Sequence, residues 1–224
     1  MATAYLTVDD APSATLPEKL AALEDYGVTA LFFCEGRRLA EHADHARRAV
    51  EAGHLLGNHA FDHNHASDIA VEDFAEEVDR TEAAIDEVYE AAGIERPATL
   101  FRFPFGDKGG DRAGEFQTVL ADRGFRPPNA DLIGYDFWAD HAGDRDWFWT
   151  VDVADYDVDT KAGLAENVAD AADRLGSDSR DILLFHDGGN DPEQFEHYLK
   201  LLDERGVVFG DPLDLVDGVA SASD

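Results

Sequence analysis

Carboxylates, imidazoles and one guanidinium stand at the ends of short apolar runs throughout these 224 residues. Asp9 and Asp10 follow Ala4–Val8, His59 and His63 follow His54–Gly57, and Arg102 follows Thr99–Phe101. Asp152 and Asp155 come after Phe148–Val151, and His186 and Asp187 after Ile182–Phe185. If the runs are parallel strands of a barrel, their ends meet at one face, where a site forms. Acids that move protons, imidazoles that hold a metal or give up a proton, and a cation that steadies a carboxylate together resemble the equipment of a metal hydrolase.

Two pairs are informative by spacing. Adjacent Asp9 and Asp10 point to opposite faces if the strand continues, but a turn at the strand end, helped by Pro12, brings both to its mouth. A cation beside one carboxylate keeps it ionised and leaves the other to act as a base. The same pair would also serve as a turn or helix N-cap. His59 and His63 are four apart, a separation that puts two imidazoles on one face of a helical turn, as in zinc sites. With Asp10 they make three ligands, and Asp9 remains as the base; histidines in an exposed loop are the plain alternative. Asp155, Asp157, Asp159 and Glu166 have calcium-loop spacing, but Thr160 stands where the sharp turn needs glycine and no helix precedes them.

The elements that must position these groups alternate. Beyond the five runs, Val28–Phe33 and Val207–Phe209 also read as strands. Amphipathic stretches lie between, the clearest carrying Val71, Phe74, Val78, Ile85 and Val88 on one face. Others fall near Leu16–Tyr26, Arg38–Ala52, Leu164–Leu175 and Glu193–Glu204. This pattern predicts an α/β fold of parallel βαβ units, in a barrel or a large open sheet. No linker divides the chain, so residues 1–224 are expected to form one domain with its core at about 4–208.

Composition narrows the partners. There are 49 acidic residues against 4 Lys and 14 Arg, for a net charge of -31, and the acids are dispersed along the chain. Such a surface repels phosphate backbones and anionic membranes, which disfavours nucleic-acid and membrane partners. Acid-rich, lysine-poor surfaces suit a salt-loaded cytoplasm, where roughly 1 M salt shortens the Debye length to about 3 Å. No signal peptide is visible and no run reaches about 18 apolar residues, so a cytoplasmic location is expected. The lone Cys34, at the end of an apolar run, excludes an internal disulfide and reads as a buried thiol.

The ordered motifs resemble the NodB-type polysaccharide deacetylases, carbohydrate esterase family four, from about Ala4 to Val208. They are Thr7-Val8-Asp9-Asp10, Gly57-Asn58-His59-Ala60-Phe61-Asp62-His63, Arg102-Phe103-Pro104-Phe105-Gly106, Asp152-Val153-Ala154-Asp155-Tyr156 and Ile182-Leu183-Leu184-Phe185-His186-Asp187. The resemblance implies a distorted (β/α) barrel of about seven parallel strands. It also implies that Asp10, His59 and His63 hold one divalent metal ion, zinc first, with Co2+ or another ion compatible. Asp9 becomes the base, Arg102 its support, His186 the acid and Asp155 the group that orients and charges His186. The backbone N–H of Phe105 and the metal stabilise the oxyanion, while Tyr156 and Leu184 line the acetyl pocket.

Departures fall on substrate contacts. Ala11 replaces a glycine, Val8 a phenylalanine, Ala60 a serine or threonine, Gly109 an asparagine and Tyr156 a tryptophan. The expected function is metal-dependent hydrolysis of a non-peptide C–N bond, first the deacetylation of an N-acetylated carbohydrate. A small non-sugar amide, such as a ureide or acylated amine, is the second expectation, and a silent carbohydrate-binding barrel the third. Intact Asp9 and His186 weigh against the silent form. The segment 126–147, with Pro127, Pro128, Trp138 and His141, is a candidate lid or substrate wall.

Overall fold

A computed structural model describes residues 3–175, 180–189 and 191–216; the ends of the expected 1–224 domain lie outside the described residues. Strands and helices alternate: β1 Thr3–Ala11, α1 Leu16–Tyr26, β2 Ala30–Cys34, α2 Gly36–Glu51, β3 Leu55–Asn58, α3 Val71–Ala92 and α4 Ala113–Asp122. There follow β4 Val151–Asp152, α5 Lys161–Asp170, α6 Ala172–Leu175, β5 Arg180–His186, α7 Pro192–Glu204 and β6 Val208–Phe209. The sheet runs β3-β2-β1-β5-β4, with β6 on the first residues of β1, and every pairing is parallel.

The ring closes through single contacts. Phe101 makes one parallel bridge to Asn58, Trp147 N–H donates to Phe101 O at 2.8 Å, and Thr150 N–H donates to Ile182 O at 2.9 Å. The expected strand at Thr99–Phe101 is therefore one bridge, and Phe148–Val151 supplies only Val151 to a ladder. Six strands and this bridge form the distorted barrel in place of about seven full strands.

Sequence periodicity explains the two cores. Leu6, Val8, Phe32, Cys34, Leu183 and Phe185 face outward and pack with Leu23, Leu39, Ile85, Phe195 and Leu199 of the surrounding helices. Tyr5, Leu31, Phe33 and Ile182 face the barrel interior with Leu100, Trp138 and Trp147. Both faces are covered, which is why the strands read as nearly continuous apolar runs. Cys34 is fully buried, as expected, and burial pushes its thiol well up. Helix ends follow local chemistry: Pro17 starts α1, and Gly27 ends it at φ 66° with its N–H on Leu23 and Glu24 carbonyls. No helix among the described residues is long and apolar enough to cross a membrane.

Candidate active site

The inward stripe of β1 reads Tyr5, Thr7, Asp9 and that of β5 reads Ile182, Leu184, His186, so each turns polar towards its C-terminal end. Register pairs Thr7 with Leu184 and Asp9 with His186. A carboxylate and an imidazole thus stand side by side on neighbouring strands. Asp10 falls on the outward phase and ought to face the helices. The ladder to β2 is irregular between Val8 and Ala11, and Asp10 takes φ 59°, which swings its carboxylate back to the mouth. The reversal occurs within β1, which continues to Ala11, and not at a turn after the strand as the sequence suggested.

His59 and His63 converge without a helix. Residues 59–63 form a loop with left-handed Ala60 (φ 59°) and His63 (φ 56°), so the four-residue spacing works through loop geometry. Glu77 of α3 holds this loop: Oε2 accepts from Phe61 and Asp62 N–H, and Oε1 from Asn64 Nδ2 at 2.7 Å. Asn58 fixes its start, accepting from Ala60 N–H at 2.8 Å and donating to Val78 O at 3.0 Å. Glu77 and Asn58 were not anticipated as supports.

Ligand atoms of Asp10, His59 and His63 all lie within 4.8 Å of one another. Asp10 Oδ1 is 3.1 Å from His63 Nε2 and 3.6 Å from His59 Nε2, yet it is buried without an aligned hydrogen-bond donor. His59 Nδ1 stands 2.8 Å from Arg102 O, an acceptor that requires the proton on Nδ1 and leaves the Nε2 lone pair facing the cluster. Burial pushes the Asp10 carboxyl up, but the close His63 and His59 imidazoles outweigh it and hold it well below its ordinary range. Burial lowers His59, which favours the neutral ring a metal needs. Two imidazole nitrogens and one orphaned carboxylate oxygen fit a divalent cation.

Arg102 lies behind Asp9, almost wholly buried. Its Nη1 donates to Asp9 Oδ1 at 2.8 Å and Thr7 Oγ1 at 2.7 Å, its Nε donates to Trp147 O, and the guanidinium covers the Phe33 ring. Asp9 Oδ2 stays on the cluster side, 3.7 Å from His59 Nε2. One oxygen is anchored and the other can accept a proton.

His186 is held by buried Asp155, whose Oδ2 accepts from the His186 backbone N–H and whose Oδ1 lies 3.0 Å from Nδ1. Burial alone would lower this imidazole; the Asp155 hydrogen bond and charge, with Asp9 and Asp10, push it up to about 9. Its charge therefore contributes stability that is complete below the ordinary imidazole range near 6.5 and is lost as pH rises through about 9. Asp155→Asn is expected to return this titration to the ordinary range or below and to lower kcat at least tenfold. NMR titration of the metal-free protein reads the first effect; an unchanged His186 would remove Asp155 from its role.

A pocket of about 330 Å³ opens over these groups, lined by Asp9, Asp10, His59, His63, Phe105, Tyr156, Leu184 and His186. Eight of the ten expected residues share it, and Arg102 and Asp155 support it from behind. Asp152, which the sequence places at the shared mouth, lines it too, as do Trp149 and Gly106, which the sequence does not single out for it. Trp149 was absorbed into an apolar run; a Cβ on Gly106 would stand 2.7 Å from its ring, so glycine permits that wall. No residue of 126–147 lines the pocket. The segment acts as backing: Lys108 bonds His141 and Asp144, His141 stacks on Phe148 at 4.0 Å, and Phe148 on Trp149 at 4.3 Å.

Residues 2–128 match the family model described as polysaccharide deacetylase. The chain is 26% identical over 185 residues to a chitooligosaccharide deacetylase of Azorhizobium caulinodans, covering 82% of this chain and 73% of that protein. It is 27% identical over 190 residues to a peptidoglycan-N-acetylglucosamine deacetylase of Bacillus cereus, covering 84% and 74%. A family 4 carbohydrate esterase from Streptomyces lividans, solved with acetate, shares the fold at TM-score 0.70 and 24% identity, covering 100% of this chain and 98% of that one. With more than half of its length in that model, the chain belongs to the polysaccharide deacetylase family, as a NodB-type member of carbohydrate esterase family four.

Proposed function

We propose that this protein is a metal-dependent hydrolase that removes the acetyl group from an N-acetylated sugar, alone or within a polysaccharide. The observation that carries this reading is the register of Asp9 beside His186, with the Asp10, His59 and His63 cluster at the same strand ends. The activities named for the two curated relatives support the choice of sugar. A divalent ion held by Asp10, His59 and His63, zinc first by its donor set, would supply Lewis acidity to polarise the acetyl carbonyl and acidify water.

The protein's own groups then divide the proton work. Asp9 Oδ2 takes a proton from the attacking water while Arg102 holds Oδ1 and fixes the carboxylate's orientation. His186, charged through Asp155, gives its proton to the departing amine. Leu184, Tyr156 and Trp149 close round the acetyl methyl. Phe105, at φ 59° in the third motif, presents its backbone N–H to the carbonyl oxygen.

The test is acetate release from N-acetyl sugars, their oligomers and acylated amines, with and without chelator. Turnover of N-acetyl sugars and its loss on chelation are expected, as is about one bound ion per chain, reduced in His59→Ala and Asp10→Ala. Turnover of acylated amines alone would replace the sugar, and turnover of nothing would leave a carbohydrate-binding barrel. The charge of -31 supports a salt-loaded working medium. Thermal midpoints should rise between about 0.1 M and about 2 M salt as self-repulsion is screened. A flat midpoint would remove that assignment.

A further inference from the structure

Two of the chain's 14 arginines stand side by side where nothing in local structure asks for them. Arg37 and Arg38 occupy the first turn of α2, which holds no acidic residue. Cations there oppose the positive end of the helix dipole, so the helix gains nothing from them. Glu35, only 1% exposed, accepts from both Nε atoms at 2.5 Å, one carboxylate oxygen to each arginine. One arginine would balance that charge. The pair instead fixes two guanidinium groups side by side, their Nη atoms making no hydrogen bond among the described residues and their side chains 50% and 30% exposed.

Their position is at the site. A Cβ on Gly188, two residues past His186, would stand 2.7 Å from Arg38 Nη2 and 3.0 Å from Asp10 Cβ. Arg38 and Asp10 therefore flank one gap that glycine keeps open. Asp10 and Asp62 also face Arg37. Neither accepts a hydrogen bond from the arginines; Asp62 is solvent-exposed, and Asp10 belongs to the metal cluster of the proposed function.

We propose that Arg37 and Arg38 form the binding site for a carboxylate on the substrate, which makes the natural substrate an acidic N-acetylated saccharide. This rests on the deacetylase reading of the adjoining pocket. Guanidinium forks match the planar, two-oxygen carboxylate. The overall charge of -31 repels an anion at a distance, so recognition must act by contact. Contact is the range that survives a Debye length of about 3 Å in roughly 1 M salt.

The test compares two matched oligosaccharides of N-acetylhexosamine, one neutral and one alternating with a uronic acid, in molar salt. Wild-type protein should favour the acidic oligomer in kcat/KM by roughly tenfold, the scale of a charge-assisted contact. Arg38→Gln should bring the ratio of acidic to neutral substrate to about one, mainly through KM, and Arg38→Lys should restore part of it. Equal kcat/KM for both oligomers in the wild type would overturn the proposal, as would a preference that survives Arg38→Gln. Calorimetric binding of the same oligomers separates the two readings. Tighter binding of the acidic oligomer without turnover keeps the arginine site while the deacetylase reading fails; equal turnover of both does the reverse.

Discussion

Asp9→Asn is expected to lower kcat by about a hundred- to ten-thousandfold while leaving the bound cation in place, because a positioned general base contributes on that scale. The substitution is nearly isosteric. Asparagine Oδ1 can still accept the Arg102 Nη1 hydrogen bond, now 2.8 Å long, so the side chain keeps its orientation. The amide nitrogen then stands where Asp9 Oδ2 faces the cluster, and it cannot take a proton. Asp10, His59 and His63 hold their positions through the β1 irregularity, the Arg102 carbonyl and Glu77, none of which needs a charge on Asp9. Metal content by elemental analysis should therefore match wild type while acetate release collapses. If kcat falls less than about tenfold, the base lies elsewhere; Asp152, which lines the same pocket and whose carboxyl burial pushes up, is the next group to replace.

Much of this site was legible because the barrel converts order along the chain into convergence in space. A run such as Ile182–Phe185 announces a strand, and the polar residue after it must appear at the shared mouth. What escaped were features with no local signature. Nothing in Val8-Asp9-Asp10-Ala11 marks Asp10 as left-handed, since an aspartate in a regular strand reads the same. The His59 to His63 spacing fits a helix as well as a loop bent at two left-handed residues, and the loop's support comes from Glu77, on a separate helix. Thr99–Phe101 has strand composition, but its three carbonyls accept from three separate segments, at Arg126, Asn58 and Trp147, so pairing and not propensity decides that it remains one bridge. Helix α4 has little periodicity to announce it, because its buried face rests on only Phe116 and Leu120. One signal was present and unused: Lys19 sits with Leu16 and Leu23 on the buried stripe of α1, in a chain with four lysines. A lysine there requires an internal partner, but the partner is 168 residues away.

That partner sets up the largest stability effect. Lys19 Nζ donates to Asp187 Oδ1 and to the Asp187 carbonyl, each at 2.6 Å, and both side chains are fully buried. Asp187 also accepts from Ser13 N–H and Oγ, while its own N–H donates to Asp9 O at 2.8 Å. The pair ties α1 to the end of β5, and Asp187's bonds to Asp9 and Ser13 join that end, which bears the acid, to the end of β1, which bears the base. Lys19→Met removes the ammonium and leaves a carboxylate buried with only neutral donors, an imbalance that costs about 3–5 kcal/mol. For a chain of this size that lowers the thermal midpoint on the order of 10 °C. Exposed pairs give the contrast: Arg47→Ala, which breaks the bond to Glu51, should cost under about 1 kcal/mol. Lys19→Met with Asp187→Asn should cost less than the two single changes added together, because the amide keeps an acceptor for Ser13 and needs no counter-charge. Urea unfolding at about 0.5 M and about 2 M salt reads the origin of the effect, since a buried pair is screened far less than a surface one. A Lys19→Met loss below about 1 kcal/mol, or one that vanishes with salt, would show that α1 and the end of β5 are held together without the ion pair.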